Sequence, residues 1–331
     1  MINCKFGTGS MAINHFVYFH SFTNKHPMQR RDFLKNTIAT AATLSLLGQN
    51  TSFAKEPNRL HVTLNQYTVA TFYGRDGINF LQDIDKYLAE MKAAGADGME
   101  ASINSAADSE KFGSALKKQG MELRSVYMGP NFHDKNVCDS EIERVLTSVK
   151  KAAEYGTKFV VINPAVKEGK TDAELILQSE IFDKVGAEIR KMGPRLTFHY
   201  HTSELQFAGR EFHHVLCGTN PENLGLCFDV HWSYRASGNS AVAAYDHARL
   251  YGDRVLEFHL RQSKGGVWTE LFEGEGDLDY QWVADFIAKF GKKPHIVLEQ
   301  APENGTPQTM KAADVFKKSI DATRKIFDAY R

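Results

Sequence analysis

From Leu60 onward the hydrophobic pattern switches repeatedly between two periods. Short β-branched or aromatic runs alternate with stretches whose apolar residues recur every three or four positions. The first run is His61 to Ala70. A helical stretch follows, with Leu81, Ile84, Leu88 and Met91 on one face, stopped at Gly95. Residues 97–101 read as the second strand, 121–127 as the third, 159–164 as the fourth and 195–201 as the fifth. The sixth is 224–232, the seventh 255–261 and the eighth 295–300. Helices are expected over 109–119, 140–155, 171–192 and 309–329.

Strands separated by helices, without hairpin turns, pair in parallel. Eight is the number that closes into a barrel. The expected fold is therefore α/β, a single (β/α)8 TIM barrel. A doubly wound open sheet is the competing architecture. It lacks support, because no glycine fingerprint follows the first strand. Gly274-Glu275-Gly276 comes late and follows no strand, so it reads as a loop before a helix capped by Asp279.

Barrel strands are covered on both sides and should stay apolar. Strands five to eight do so until their C-terminal ends, then turn polar. They end in Phe198-His199-Tyr200-His201, Phe228-Asp229-Val230-His231, Phe258-His259-Leu260-Arg261 and Val297-Leu298-Glu299-Gln300, with Glu204 just beyond the first. Residues two apart share a strand face, which pairs His199 with His201, Asp229 with His231, and His259 with Arg261. The C-terminal ends form the mouth where sites of this fold lie. Carboxylates gathered there are costly unless a cation or protons offset them. Carboxylate and imidazole without thiolate suit one divalent metal ion: Mn, Co, Zn, Mg or Fe. Cys227 lies deeper on the same face as Asp229 and is not counted.

The N-terminus differs from the rest. Arg30-Arg31-x-Phe33-Leu34-Lys35 opens a mildly apolar run, Thr37 to Leu47, followed by Ser52-Phe53-Ala54. That order matches a basic region, an apolar core and a small-residue cleavage site, and the run is short for a membrane span. It resembles a twin-arginine export signal over 28–54. Residues 1–27 read as an extension from a misassigned start, with Met28 beginning the precursor, and 55–331 as the barrel domain. The expected location is periplasmic, with no stable membrane insertion.

The 40 basic and 40 acidic residues of the 331-residue chain cancel. Without 1–54 they become 35 and 39, a net charge of −4, over 277 residues. An eight-fold barrel needs roughly 250. A nucleic-acid partner needs a basic footprint, which this charge does not supply. Cys4, Cys138, Cys217 and Cys227 show no metal-ribbon spacing and imply no disulfide framework.

The strand ends carry a resemblance. His199-Tyr200-His201-x-x-Glu204, Phe228-Asp229-Val230-His231-Trp232, Arg254-Val255-x-x-Phe258-His259-Leu260-Arg261, Gly274-Glu275-Gly276-x-x-Asp279-Tyr280 and Ile296-Val297-Leu298-Glu299-Gln300 resemble the xylose isomerase-like barrels of the sugar phosphate isomerase/epimerase group. The resemblance runs from about residue 60 to the C-terminus. It implies one divalent metal held by Asp229, His259, Glu299 and a strand-five ligand. Epimerases of the group place Glu at the end of strand five; here the fourth ligand is His201, by strand placement, or Glu204. Barrels of the group commonly dimerise, so a homodimer is also implied.

The resemblance implies a metal-dependent sugar isomerase or epimerase that removes a proton α to a carbonyl. Glu299 supplies one carboxylate. His199, His201 or Glu204 is the partner on the opposite face, and His231 joins the catalytic candidates. Arg261 binds a carbonyl or phosphate oxygen, or forms a salt bridge at the rim. A lyase or dehydratase, in which the same enolate expels a β-leaving group, is the alternative, and a non-catalytic sugar-binding barrel the second. The expected ligand is a small carbohydrate. Tyr67, Tyr73, Trp232 and Trp268 are candidate aromatic walls. Glu100 either bonds a substrate hydroxyl or caps the next helix.

Overall fold

The computed structural model describes residues 59–331, so the expected export signal over 28–54 and the expected extension over 1–27 lie outside the described residues. Eight parallel strands close into a barrel. They are β1 (Val62–Asn65), β2 (Gly98–Ser102), β3 (Ser125–Met128), β4 (Phe159–Ile162), β5 (Arg195–Phe198), β6 (Leu224–Asp229), β7 (Val255–Leu260) and β8 (His295–Leu298). Closure runs through β1 and β8, where Val62, Thr63 and Leu64 pair with Ile296, Val297 and Leu298. Among the described residues no helix is long and apolar enough to cross a membrane.

The helices are α1 (Gln66–Arg75), α2 (Ile84–Ala93), α3 (Ala106–Lys118), α4 (Cys138–Ala153), α5 (Asp172–Met192), α6 (Gln206–Gly218), α7 (Val230–Ala236), α8 (Ala241–Tyr251), α9 (Tyr280–Ala288) and α10 (Ala312–Ile326). Their starts follow from side chains that satisfy free N–H groups. Thr171 and Glu174 form a capping box on α5, and Asp279 caps α9 as the sequence suggests. Gly186 lets α5 lie against the chain before β6, since a Cβ there would fall 2.2 Å from the Asn223 carbonyl oxygen.

Most strands are shorter than the runs that announce them, and two are ended by a helix cap. The first stops at Asn65, whose side chain accepts from the Tyr67 N–H and starts α1. The sixth stops at Asp229, which likewise caps α7. His231 is therefore helical, and the strand face expected to pair it with Asp229 does not exist. A small antiparallel hairpin, Ser263–Lys264 with Val267–Trp268, follows β7; its two-residue strands are too short to leave a periodic pattern.

The barrel lumen is polar. Thr63, Asn65, Glu100, Ser125, Thr197, Glu257 and His259 are all buried. Apolar side chains fill the layer between strands and helices instead, in one continuous cluster. A lumen this polar must satisfy its own hydrogen bonds, or bind something that does.

Candidate metal centre and active site

His199 directly follows β5, Asp229 ends β6, His259 lies on β7 and Glu299 directly follows β8. Each offers a ligand atom within 4.8 Å of the others, and all four are buried. Register places them: Asp229 pairs with His259 across β6 and β7, and Val297, two before Glu299, pairs with His259 across β7 and β8.

Asp229 splits its carboxylate between two tasks. Oδ1 accepts from the Trp232 N–H at 2.8 Å. Oδ2 has no hydrogen-bond partner and lies 3.7 Å from His199 Nε2, which also has none. The other nitrogen of His199 sits 3.1 Å from Asn163 Oδ1. The Asn163 amide is oriented by its Nδ2 donating to the Pro164 carbonyl, so Nδ1 of His199 carries the proton and Nε2 presents a lone pair. Burial, with His259 alongside, lowers this imidazole to about 3, so it is neutral. Burial, with Glu299 nearby, pushes Asp229 up to about 7. Two buried lone-pair atoms thus face each other with nothing between them. A divalent cation resolves that conflict, so the donor set fits the metal.

Glu299 and His259 complete the group. Glu299 Oε2 is 3.1 Å from His259 Nδ1, and Oε1 is 3.3 Å from Arg261 Nη2. Burial favours the neutral carboxyl, but Arg261 and His259 outweigh it and hold Glu299 well below the usual range. Burial likewise works against charging His259. Cys227, then Glu100 and Glu299 on either side, overcome it and hold the imidazole well above its ordinary value; a cation bound at Nδ1 would take the place of that nitrogen's proton.

Glu100 lies beneath His259. It accepts from Asn65 Nδ2 and Ser125 Oγ, both at 2.6 Å, and meets His259 Nε2 at 3.0 Å. A carboxylate on the outer nitrogen of a metal-binding histidine fixes its tautomer and aim. Glu100 is therefore neither a hydroxyl binder nor a helix cap; Ser105 caps α3. Deeper still, burial and Glu100 raise the Glu257 carboxyl well above its normal value, so it keeps its proton.

A cavity of about 360 Å³ opens over this group. Its walls include Tyr67, Tyr127, His201, Trp232, Trp268 and Glu299. Arg261 is not at the rim: it is 1% exposed, and its Nε donates to the Glu299 carbonyl at 3.0 Å. Its guanidinium lies 4.0 Å from the Trp268 ring centre and 5.3 Å from that of Trp232. Charge, stacking and hydrogen bonds together fix the Glu299 carboxylate.

The structure rearranges the strand-five assignment. His199 joins the ligand group; His201 and Glu204 do not. The chain leaves the sheet after Phe198, and Glu204 then closes a turn, accepting from the His201 N–H and the Ser203 hydroxyl, both at 2.7 Å. With both oxygens so engaged, Glu204 is a structural anchor. His201 is lifted onto the cavity wall, its pKa lowered to about 4 by burial and by His199. His231 is held by Ser263 at 2.9 Å, outside the ligand group and absent from the cavity wall. Tyr73 is buried with its hydroxyl on Glu90. Asn65, Ser125, Tyr127 and Asn163 escaped the sequence reading, although Asn65 and Asn163 are polar ends of apolar runs.

Three likenesses place the chain. It is 22% identical, over 215 residues, to inosose dehydratase of Geobacillus kaustophilus, covering 60% of this chain and 67% of that one. A sugar phosphate isomerase/epimerase from Parabacteroides distasonis superposes with TM-score 0.63 at 17% identity, covering 82% of this chain and 95% of that one. A barrel protein from Mycobacterium smegmatis, in complex with magnesium, superposes with TM-score 0.60 at 12% identity, covering 83% and 98%. Residues 88–326 match the xylose isomerase-like TIM barrel profile, and the chain belongs to that family.

Proposed function

We propose that the protein is a divalent-metal-dependent sugar isomerase or epimerase that removes a proton α to a carbonyl, acting on an exported or extracytoplasmic sugar. The carrying observation is the facing pair of partnerless atoms, His199 Nε2 and Asp229 Oδ2, in a four-ligand group beside an aromatic-walled cavity. The names of the Geobacillus and Parabacteroides relatives support a sugar substrate, and the magnesium-bound relative supports a metal. The export signal read over 28–54 supports the location.

His199, Asp229, His259 and Glu299 would hold the ion, which supplies Lewis acidity that stabilises negative charge on a carbonyl oxygen. Glu299 is ionised and stands on the cavity wall, placed to accept the carbon-bound proton. Neutral His201, on the same wall, has one N–H and one free nitrogen, and is placed to relay a proton, giving one to the other carbon face or to a substrate oxygen while taking one from solvent at its second nitrogen. Tyr127 stays protonated, since burial holds its phenol well above its usual range, and can donate a hydrogen bond. Trp232 and the exposed Tyr67, both on the cavity wall, offer aromatic surface to a sugar ring.

The second reading, a lyase or dehydratase, rests on strand five. It places His199 in the ligand group, where epimerases of the group have a carboxylate, leaving Glu299 as the carboxylate on the cavity. His201 would then relay a proton from solvent to the departing β-oxygen, taking it up at one ring nitrogen as the other gives one. The test is a panel of aldoses, ketoses and 3-keto-glycosides in deuterated water with metal-loaded protein, followed by NMR. Deuterium at the α carbon with an isomeric product supports the first reading, and loss of a substituent the second. Neither event with any substrate would overturn both and leave a sugar-binding barrel.

A further inference from the structure

The opposite end of the barrel carries a cavity of about 560 Å³ that the proposed chemistry does not use. Among the described residues its lining contains six Lys or Arg side chains, two histidines, and no Asp or Glu. The charges encircle the barrel axis: Arg124, Lys158 and Lys293 stand just before β3, β4 and β8, and Arg195 begins β5. Arg59 and Arg124 reach out to Asp97 and Glu122. Lys158 and Arg195 form no ion pair with a carboxylate side chain among the described residues; Arg195 donates from Nη2 to the Pro221 carbonyl at 3.2 Å while its Nε is buried without a partner, and Lys293 donates to the Arg331 main-chain oxygen. The floor is aromatic. Phe159 of β4 and His295 of β8, from opposite sides of the barrel, stack at 5.4 Å with a 4° interplanar angle, and His61 packs on His295 at 5.3 Å.

Helix dipoles do not account for this cluster. Helix C-termini favour cations in their last turns, but these cations sit at strand starts. Nor does the overall charge, which is −4 for 55–331. Like charges gathered in a concave site repel one another and focus a positive potential. Burial, followed by Arg124, lowers His61 to about 4, so the floor stays uncharged beneath the cations.

We propose that this basin is a second ligand site, taking a multivalent phosphate- or sulfate-type anion that Lys158 and Arg195 hold above the Phe159–His295 floor. The anion is either free in solution or displayed on a lipid headgroup. The geometry suits convergent, charge-assisted contacts from several strands.

The test titrates the full chain with inorganic pyrophosphate by calorimetry at low salt. In parallel, the protein is floated with vesicles of phosphatidylglycerol in phosphatidylcholine. The comparison is Lys158→Ser/Arg195→Ser, with Lys158→Ser as a single variant should the double fail to fold. Saturable pyrophosphate binding, weakened about tenfold or more in a variant with unchanged melting temperature and metal content, is expected. The His61 imidazole resonances should shift during the wild-type titration. Binding without flotation assigns a free anion, and flotation lost in the variant assigns a headgroup. No saturable binding in either arm, or equal binding by folded variants, overturns the site.

Discussion

His199 Nε2 and Asp229 Oδ2 stand 3.7 Å apart in a fully buried setting, and neither has a hydrogen-bond partner. Two facing acceptors call for a cation or a shared proton between them, and two imidazoles with two carboxylates in one group favour the cation. Purified protein should therefore carry about one divalent ion per chain, as the donor set favours, measured by elemental mass spectrometry. Asp229→Ala/Glu299→Ala should carry none. No metal in the wild type, even after incubation with Mn and Co, would sink the enolisation mechanism.

His201 and Glu204 separate cleanly. His201→Asn should keep the metal and the fold while lowering kcat by about 10² to 10⁴, the worth of a positioned acid or base. Glu204→Gln should act on stability, because it disturbs the turn closed by the His201 N–H and Ser203. A Glu204→Gln protein that melts normally but has lost its metal would reverse the assignment.

Glu100 never reaches the cavity, yet it should govern metal affinity. Replacing the carboxylate that anchors His259 Nε2 by an amide, Glu100→Gln, should weaken metal binding about 10- to 100-fold. Chelator competition measures this. An unchanged affinity would show that the His259 ring is held by packing alone.

Asp97 predicts the acid behaviour of the fold. It accepts from the Val62 N–H at 3.0 Å and from Arg324 at 2.8 Å, and also pairs with Arg59. Burial alone would raise its pKa; these partners outweigh burial and lower it. A lowered carboxylate contributes stability above its unfolded value, about 3.9, and loses it as pH falls through the folded value. Asp97→Asn should cost about 1–3 kcal/mol at pH 7. That gap, read from urea midpoints, should shrink toward pH 3.

Gly186→Ala tests the packing of α5. Alanine gains about 1 kcal/mol in helix propensity. Its Cβ would meet the Asn223 carbonyl oxygen at 2.2 Å, and overpacking costs about 1–3 kcal/mol. A carbonyl of the main chain cannot swing aside as a side chain can, so the melting temperature should fall.

Much of this was legible before any coordinates, for a physical reason. Barrel strands buried on both sides read as short apolar runs, and eight of them stand out. Strand ends were less legible where a cap intervened. His61 to Ala70 looks continuous, but Asn65 accepts the Tyr67 N–H on its side chain and turns extended chain into helix. The same switch at Asp229 moved His231 onto α7. His199 and His201 share one face under strand periodicity, so the pattern alone could not rank them. The turn at Glu204, a contact between side chain and main chain, decides which imidazole stays level with Asp229. Glu100 was visible as a polar residue in β2, but its partner, His259, is a long-range neighbour that no local pattern reveals.

Glu299 lies just beyond the strand that seals the ring, and Glu100 on β2 supports His259 on β7. A ribosome-bound chain that stops short of β8 therefore lacks both the last ligand and the wall beside it. Affinity for the ion should appear abruptly when β8 pairs with β1, making occupancy a record of completed synthesis.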